Sequence, residues 1–407
     1  MFHHTDPEVL VVGAGPGGLV SALFLKQRGV RVEVVDQDQR TTVHSYALAT
    51  HPRTLRMLDE VGLAQPLIAA GRKVTKVACY EGSERHAEID YSALSSEHPF
   101  LLVVRQSILE SIVAEELRAQ KVNVRWGHRL EGLVAEGEGL QARVAELDHA
   151  GAGYPVAQSV AKVHTLRPAF VIGADGYDSA VRRVSGIEME QLGAADLFAV
   201  FEIEASGDLP AEARVILDPD ATSVYWPLEE GRCRWGFQIR NASEHVASKE
   251  RFEQLVAARA LWFTAQPKWI IWSTLALFAR RLARRFGDGR VWLAGDAAHQ
   301  AAPIGVHSLN SGLAEARQLA MRIARIQHAA GSPLLLRDFA DETHKNWHDL
   351  LGSADKVRVL PTANQWVQRS GSRILECVPA SGEDLEPLLG QIGLSTSIQA
   401  RGGLAAV

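Results

Sequence analysis

Residues 9–18 read Val9-Leu10-Val11-Val12-Gly13-Ala14-Gly15-Pro16-Gly17-Gly18, and this stretch decides the fold. The apolar run predicts a buried strand, and helical periodicity follows the glycines until Gly29. A second strand pattern, Val30–Asp36, comes next. Strand, glycine turn, helix and parallel strand form the unit that binds a dinucleotide, because glycines let the backbone approach a pyrophosphate at a helix N-terminus. We therefore predict pyrophosphate contacts at Gly13, Gly15, Gly17 and Gly18, and a ribose contact at Asp36.

Two further corners that pair glycine with aspartate follow apolar strand patterns later in the chain. Asp175 and Gly176 come after Phe170–Ile172, and Gly295 and Asp296 come after Val291–Ala294. Carboxylates in these positions can bind the hydroxyl groups of a long cofactor. The alternatives are an ordinary Asp-Gly turn at Asp175 and a helix N-cap at Asp296. Together, three corners in this order predict FAD.

Composition and charge narrow the protein class. The chain has 407 residues, enough for two or three domains, and its net charge of −5 argues against nucleic acid as the main partner. Cys79, Cys233 and Cys377 are far apart and predict neither a disulfide framework nor a metal site. The N-terminus lacks a signal-peptide pattern, and the longest apolar stretch, Trp269–Ala279, is too short to span a bilayer. We expect a cytoplasmic protein without membrane insertion, either a monomer or a homodimer.

The order of strand and helix patterns predicts an α/β fold with a discontinuous, Rossmann-like FAD-binding domain. We assign residues 1–75, 100–190 and 280–350 to this domain. Alternating, aromatic-rich segments predict a mostly antiparallel β-sheet domain for the substrate, from residues 76–99 and 191–279. Residues 351–407 are expected to form a helical C-terminal region.

The three corners, together with Arg182, Pro303 and Gly312, resemble those of the class A flavoprotein monooxygenases, the p-hydroxybenzoate hydroxylase-like family. The resemblance covers about residues 8–350. It implies tightly held FAD, NADH or NADPH as a transient reductant, and transfer of one oxygen atom of O2 to an aromatic substrate through a flavin C4a-hydroperoxide. It also implies cofactor contacts by Arg105, Gln106, Gly305, Ser308, Leu309 and Asn310. For Arg105 the alternative is a solvated surface charge.

The chain departs from the family pattern at two places. Tyr46 stands where the family tends to have an arginine associated with flavin positioning and movement. The loop after Pro303 reads Gly305-Val306-His307-Ser308, where the family has a run of glycines with a glutamine. If position 308 requires a positive φ, serine costs roughly 1 kcal/mol relative to glycine.

Three residues are candidates for the chemistry. His307, with an ordinary near-neutral pKa, suits a proton shuttle, although a loop histidine bonded to the backbone is the alternative. Pro303 belongs to the loop that would exclude water, and Tyr225 lies on an aromatic strand that would line the substrate pocket, unless it is plain core. No arginine is obviously placed to bind a carboxylate, which favours a fairly apolar aromatic substrate.

The leading function is thus an FAD-dependent, NAD(P)H-consuming aromatic hydroxylase. One alternative is a flavin-dependent reductase or dehydrogenase on the same scaffold, which would not need O2. Another is a non-catalytic FAD-binding partner protein, which the altered loop at residues 306–308 favours.

Overall fold

The computed structural model describes residues 6–41, 47–137, 139–148, 159–240, 248–329, 331–352 and 356–396. Tyr46 lies outside these ranges. The helices within them are α1 (Pro16–Gln27), α2 (Pro52–Asp59), α3 (Ala64–Ala69), α4 (Gln106–Ala119), α5 (Ala180–Val184), α6 (Lys249–Arg259), α7 (His307–Ala329), α8 (Leu334–Leu351), α9 (Gln365–Cys377) and α10 (Leu385–Gly390). None of these described helices combines the length and apolar character that crossing a bilayer requires.

The strands of the described ranges are β1 (Val9–Val12), β2 (Val32–Asp36), β3 (Ala49–Thr50), β4 (Arg72–Val74), β5 (Lys76–Glu81), β6 (Glu84–Asp90), β7 (Leu101–Val103), β8 (Val124–Trp126), β9 (His128–Glu136), β10 (Gly139–Leu147), β11 (Val160–Leu166), β12 (Phe170–Gly173), β13 (Met189–Gln191), β14 (Asp196–Ser206), β15 (Ala213–Asp218), β16 (Ala221–Pro227), β17 (Arg232–Ile239), β18 (Gln266–Phe278), β19 (Arg281–Ala283), β20 (Gly287–Asp288), β21 (Val291–Leu293), β22 (His299–Gln300), β23 (Val357–Val359) and β24 (Leu394–Thr396).

A six-stranded sheet carries the three glycine corners. Its order is β20-β21-β12-β1-β2-β8, and all neighbours from β21 to β8 are parallel. β1 and β12 are buried along their whole length, as expected for a parallel sheet covered on both faces. Val12 is level with Gly173, and Gly173 is level with Leu293. The chain therefore leaves β1, β12 and β21 at one edge of the sheet, with its three corners side by side.

A seven-stranded sheet in the order β18-β14-β17-β16-β15-β5-β6 forms the second layer. It is antiparallel except between β15 and β5. Its two faces have different partners because successive side chains of a strand alternate between faces. The inner face, with Phe198, Val224 and Trp226, packs against the loop at Ile304 and Val306 and against the C-terminal helices. The outer face packs against α6 through a cluster of aromatic side chains.

One element differs from what the sequence pattern predicts. Helical periodicity after Pro303 predicts a long helix from about residue 311 to residue 327, but α7 begins at His307. The apolar stretch from Trp269 is part of β18, an edge strand that pairs with β14, within the segment assigned to the antiparallel sheet. The domain boundaries stay a prediction, although the strands of each sheet come from the corresponding segments.

Gly13→Ala should destabilise the protein by about 2–5 kcal/mol. Gly13 has φ 103°, and an added Cβ would lie 2.2 Å from the carbonyl oxygen of Ala174. The backbone strain costs about 1–2 kcal/mol and the overlap about 1–3 kcal/mol. Gly29→Ala is the matched control, since it has φ 76° but meets nothing within 4 Å and should lose only the strain component. Urea unfolding of both variants gives the comparison. Equal losses would show that the Gly13 contact does not constrain the fold.

Candidate active site

The first two corners are in direct backbone contact. An added Cβ on Gly13 would lie 2.7 Å from the amide nitrogen of Asp175, so only glycine allows the two turns to approach this closely. The third corner also packs closely on the start of α7, where a Cβ on Gly312 would lie 3.1 Å from the Cα of Gly295. Three segments that are distant in sequence therefore meet at one edge of the sheet.

Two buried charged residues fix the third corner. The guanidinium of Arg182 donates hydrogen bonds to the carbonyls of Ala297 and Tyr177, both at 3.0 Å, and so joins the second corner to the third. The carboxylate of Glu315 accepts from the amide of Gly295 at 3.4 Å and lies 2.8 Å from His299 Nε2. It also accepts from the indole of Trp347, on which the His299 ring stacks at 3.8 Å between centroids. His299 is thus buried behind the corner.

The corner residues fit a dinucleotide with a polyhydroxyl chain. Added Cβ atoms at Gly15, Gly17, Gly176 and Gly295 would meet nothing within 4 Å, so the backbone at these positions is open to a ligand. The Asp296 side chain is exposed, although desolvation by the surrounding protein raises its pKa. No side chain or amide of the described residues hydrogen-bonds its carboxylate. Asp296 can therefore accept hydroxyl hydrogen bonds.

The other two aspartates are already engaged within the protein. Asp36 accepts from the amides of Ala14 at 2.5 Å and Asp38 at 2.8 Å, which ties the end of β2 to the glycine turn. Asp175 accepts from the Ser179 hydroxyl at 2.5 Å and from the Val181 amide at 3.0 Å at the start of α5. Burial nevertheless raises the pKa of both carboxyls. Their contacts with FAD stay predictions.

The loop between Pro303 and Asn310 has an unusual backbone. Val306 has the left-handed backbone conformation in this loop, with φ 51°. The comparison with the family pattern had instead raised a positive φ at position 308. A β-branched residue in this conformation is strained, because its Cβ approaches the following carbonyl. Ser308 is helical instead, and its hydroxyl accepts from the Ala301 amide at 3.2 Å. The loop therefore stores its strain two residues earlier than the sequence comparison suggested.

Asn310 and His51 hold this loop against β3. The Asn310 amide donates to the carbonyls of Ala49 at 3.0 Å and Val306 at 2.9 Å, and its oxygen accepts from the His51 amide at 2.8 Å. The His51 ring lies with Nε2 3.0 Å from the Gly305 carbonyl and Nδ1 3.1 Å from the Ser381 hydroxyl. Sequence analysis missed His51. No local pattern could have found it, because its partners are 254 and 330 residues away along the chain.

His307 lies at the first residue of α7, fully enclosed. Its ring hydrogen-bonds the Glu376 backbone, while Nε2 has no partner among the described residues. Burial lowers the pKa of His307 to about 4. The near-neutral pKa assumed for it is therefore wrong, and the ring is neutral at pH 7. Burial and the nearby His307 also lower the pKa of His51, whose ring centroid is 6.0 Å away.

Tyr225 does not reach this site, which corrects the catalytic role predicted for it. Alternation along β16 places it on the outer face of the sheet, while its neighbours Val224 and Trp226 face the loop. It is fully buried, its hydroxyl donates to the Pro210 carbonyl at 3.1 Å, and its ring lies 5.2 Å from that of Trp235. Tyr225 is a core residue.

Arg105 and Gln106 are both engaged at the start of α4. Arg105 pairs with Glu202 of β14, which also pairs with Arg234, so it is not a solvated surface charge. Burial alone would raise the pKa of Glu202, but the two arginines lower it. The Gln106 amide donates to Glu110 at 2.8 Å. Arg105 thus connects α4 to the inner face of the seven-stranded sheet, and contacts of either residue with FAD stay predictions.

A cavity of about 240 Å³ opens beside the loop, between it and the inner face of the sheet. Ala302 and Ile304 of the loop line it together with Phe198, Thr222, Arg280 and Arg373. Arg373 donates to the Thr222 hydroxyl at 3.1 Å, and Arg280 bridges Asp196 and Glu376. The lining mixes polar and charged side chains with apolar ones, whereas the sequence showed no arginine obviously placed to bind a carboxylate and so favoured a fairly apolar substrate.

His307→Gln should flatten the pH dependence of stability. Burial lowers the pKa of His307 from 6.5 to about 4, so as the pH falls the unfolded state binds a proton before the folded state does. The free energy of unfolding is therefore highest above pH 6.5 and decreases as the pH falls towards 4. For one such group the loss between pH 7 and pH 5 is about 2 kcal/mol. The free energy of unfolding in urea is measured for the variant and for the wild type at both pH values. Both proteins retain His51, so a difference between them comes from residue 307. Identical pH dependence in the two proteins would contradict the burial of a neutral His307.

Curated proteins of similar sequence include two monooxygenases. The 6-methylpretetramide 4-monooxygenase of Streptomyces rimosus is 28% identical over 341 residues, covering 83% of this chain and 59% of that protein. The pentachlorophenol 4-monooxygenase of Sphingobium chlorophenolicum is 27% identical over 365 residues, covering 83% and 62%. This chain therefore spans about three fifths of the length of these relatives.

Solved structures show the same fold. The p-nitrophenol 4-monooxygenase PnpA of Pseudomonas putida DLL-E4 superimposes with a TM-score of 0.75 at 22% identity, covering 95% of this chain and 96% of that chain. Aklavinone-11 hydroxylase, solved with FAD and aklavinone, gives 0.71 at 24% identity, covering 87% and 68%. The α/β prediction is thereby confirmed.

A family model described as the FAD binding domain matches residues 6–354, which include all three corners and α7. The match confirms FAD as the cofactor that the glycine and aspartate corners predict. It extends over most of the chain, well beyond the βαβ unit at its start. The chain belongs to the FAD-binding domain family represented by this model, FAD_binding_3.

Proposed function

We propose that this protein is an FAD-dependent monooxygenase that uses NADH or NADPH and O2 to hydroxylate an aromatic substrate. The observation that carries the proposal is the convergence of three cofactor corners in a chain of the FAD-binding family, with a cavity beside the loop that follows the third corner. Support also comes from the curated relatives, two of which are named as 4-monooxygenases. FAD, when bound, supplies the transfer of electrons and the activation of O2.

The corner residues would hold the cofactor by its polar groups. Amides at Gly15 and at the start of α1 face the pyrophosphate, because a helix N-terminus carries free N–H groups and a partial positive charge. Asp36 receives a ribose, and Asp296 receives hydroxyls of the ribityl chain. The N-terminus of α7, at His307 and Ser308, would favour negative charge on a cofactor ring bound near it, because a helix N-terminus carries a partial positive charge.

The loop from Pro303 to Asn310 would position substrate and exclude water. Its strained Val306 is held by Asn310 and His51, so its backbone is fixed before substrate binds. Neutral His307 can accept a hydrogen bond at Nε2, but it is a poor acid or base near pH 7 because of its low pKa. Pro303 takes a positioning role in the loop. The cavity beside it, lined by Arg280, Arg373 and Thr222, favours an aromatic ring that carries a polar substituent.

The decisive experiment is oxidation of NADH and NADPH by the FAD-loaded protein with a panel of phenols and polycyclic aromatics under 18-O-labelled O2. The expected result is substrate-stimulated oxidation and a product that contains one labelled oxygen atom. The ratio of kcat/KM values identifies the preferred nicotinamide. Label acquired only from water would disprove the monooxygenase assignment.

Two other outcomes of the same assay identify the alternatives. Turnover that persists without O2 indicates a reductase or dehydrogenase. Bound FAD that neither NADH nor NADPH reduces, with any substrate of the panel, indicates a non-catalytic partner protein.

Gly15→Ala should weaken FAD binding at least ten-fold while the apoprotein loses no more than about 1 kcal/mol. An added Cβ meets no protein atom, and φ of Gly15 is −72°, so alanine fits the fold at this position. The variant loses stability only because alanine is a poorer N-cap than glycine. The methyl group lies where the pyrophosphate approaches the backbone. Fluorescence titration of apoprotein with FAD measures the affinity. Gly132→Ala, another open position, is the control, and similar FAD affinity in both variants would disprove the assigned contact.

A further inference from the structure

The three-stranded sheet β11-β10-β9 carries a group of side chains that the proposed function does not use. His128 on β9, Glu146 on β10 and His164 on β11 bring one ligand atom each to within 4.8 Å of one another. All three are half-buried. We propose that they form a binding site for a divalent transition metal ion of intermediate softness, with Zn²⁺ as the best match.

The strand register explains why the three side chains meet. His128 is directly opposite Glu146 in the antiparallel pair β9–β10. His164 is opposite Val144, two residues from Glu146 on the same strand and therefore on the same face. Cross-strand neighbours on one face are about 4.5–8 Å apart at Cβ, close enough for imidazole and carboxylate groups to share one ion. The backbone of three paired strands fixes this arrangement without a ligand.

The orientation of the two imidazoles suits metal binding. His128 Nδ1 lies 2.8 Å from the Trp126 carbonyl, a bond that requires a proton on Nδ1 and leaves the Nε2 lone pair free. Metal-bound histidines generally have such a partner on their second nitrogen, because it fixes the tautomer and the ring. His164 Nε2 points to Glu146 Oε2 at 3.0 Å. The rings of His128 and His164 lie 5.7 Å apart.

Two nitrogen ligands and one carboxylate oxygen favour Zn²⁺ over Mg²⁺ or Ca²⁺, which prefer oxygen ligands. The Glu146 side chain is 45% exposed, so water can complete a tetrahedral shell. The hydrogen bond from His164 is the largest cause that lowers the pKa of Glu146, and Lys162 adds a smaller electrostatic contribution, so Lys162 is a competing cation beside the site. Lys162 is exposed and can turn into solvent when a metal binds.

The second group of similar composition in the described ranges, Asp59, Glu97 and His98, is a weaker candidate. It has one imidazole instead of two, and that imidazole, of His98, is buried and hydrogen-bonds Asp59. In either group a metal would replace one hydrogen bond between a histidine and a carboxylate, so the second imidazole of the sheet cluster decides the comparison.

The test is isothermal titration of the FAD-loaded protein with ZnCl2 in a chelator-free buffer. We expect one site that His128→Ala and His164→Ala each weaken at least ten-fold, and that Glu146→Gln weakens about ten-fold through loss of the carboxylate charge. Zn²⁺ should also raise the melting temperature of the wild type but not of the double histidine variant. Bound Co²⁺ should give the visible absorption of a tetrahedral site.

The matched control is His344→Ala/His348→Ala, which removes a histidine pair one helical turn apart on α8. This variant should bind Zn²⁺ like the wild type. FAD content, read from flavin absorbance, verifies that every variant is folded. Absence of any Zn²⁺ binding by the wild type would overturn the proposal, and so would binding that survives in the double sheet variant or disappears in the α8 control.

Discussion

The backbone contact between Gly13 and the Ala174–Asp175 turn is the constraint on which the cofactor cleft depends. Three neighbouring parallel strands end at one edge of the sheet. Their shared direction alone would leave the backbones of the following turns separated by the width of a side chain. Glycine at position 13 removes that separation, since any Cβ there would overlap the opposite backbone. The close contact aligns open backbone at Gly15, Gly176 and Gly295 along one surface. A dinucleotide can then contact segments from the beginning, middle and end of the chain.

Buried polar groups define much of the rest of the site, because most such groups must be paired inside the protein. Glu315 satisfies Gly295, His299 and Trp347 at once, and so fixes the third corner to two helices. Asn310 satisfies two carbonyls and one amide, and keeps a strained loop in place. The positions of these residues therefore follow from hydrogen-bond satisfaction as much as from apolar packing. Asp296 has no such partner among the described residues, and it is the carboxylate that we propose for the cofactor.

The two faces of the seven-stranded sheet pack against different parts of the chain. Alternation assigns Phe198, Val224 and Trp226 to the inner face, together with the pair of Glu202 and Arg234 to which Arg105 binds. On the outer face, the rings of Phe201 and Phe237 pack edge to face against Phe252 of α6. A shift of one residue in register would exchange the two faces. Whether Tyr225 lines a pocket or belongs to the core is therefore decided by the register in which β16 pairs with β15 and β17.

The sequence by itself determined the βαβ start, the order of the corners, the cofactor and most strands, because these depend on local periodicity and on glycine positions. It could not determine which face of β16 is inward or that α7 begins at His307, since both depend on packing between distant segments. It also could not reveal His51 as the partner of Gly305, or Glu202 as the partner of Arg105. The pKa of His307 followed only from its enclosure. Burial and long-range pairing are properties of the tertiary structure, and they alone set the charge and direction of the side chains at this site.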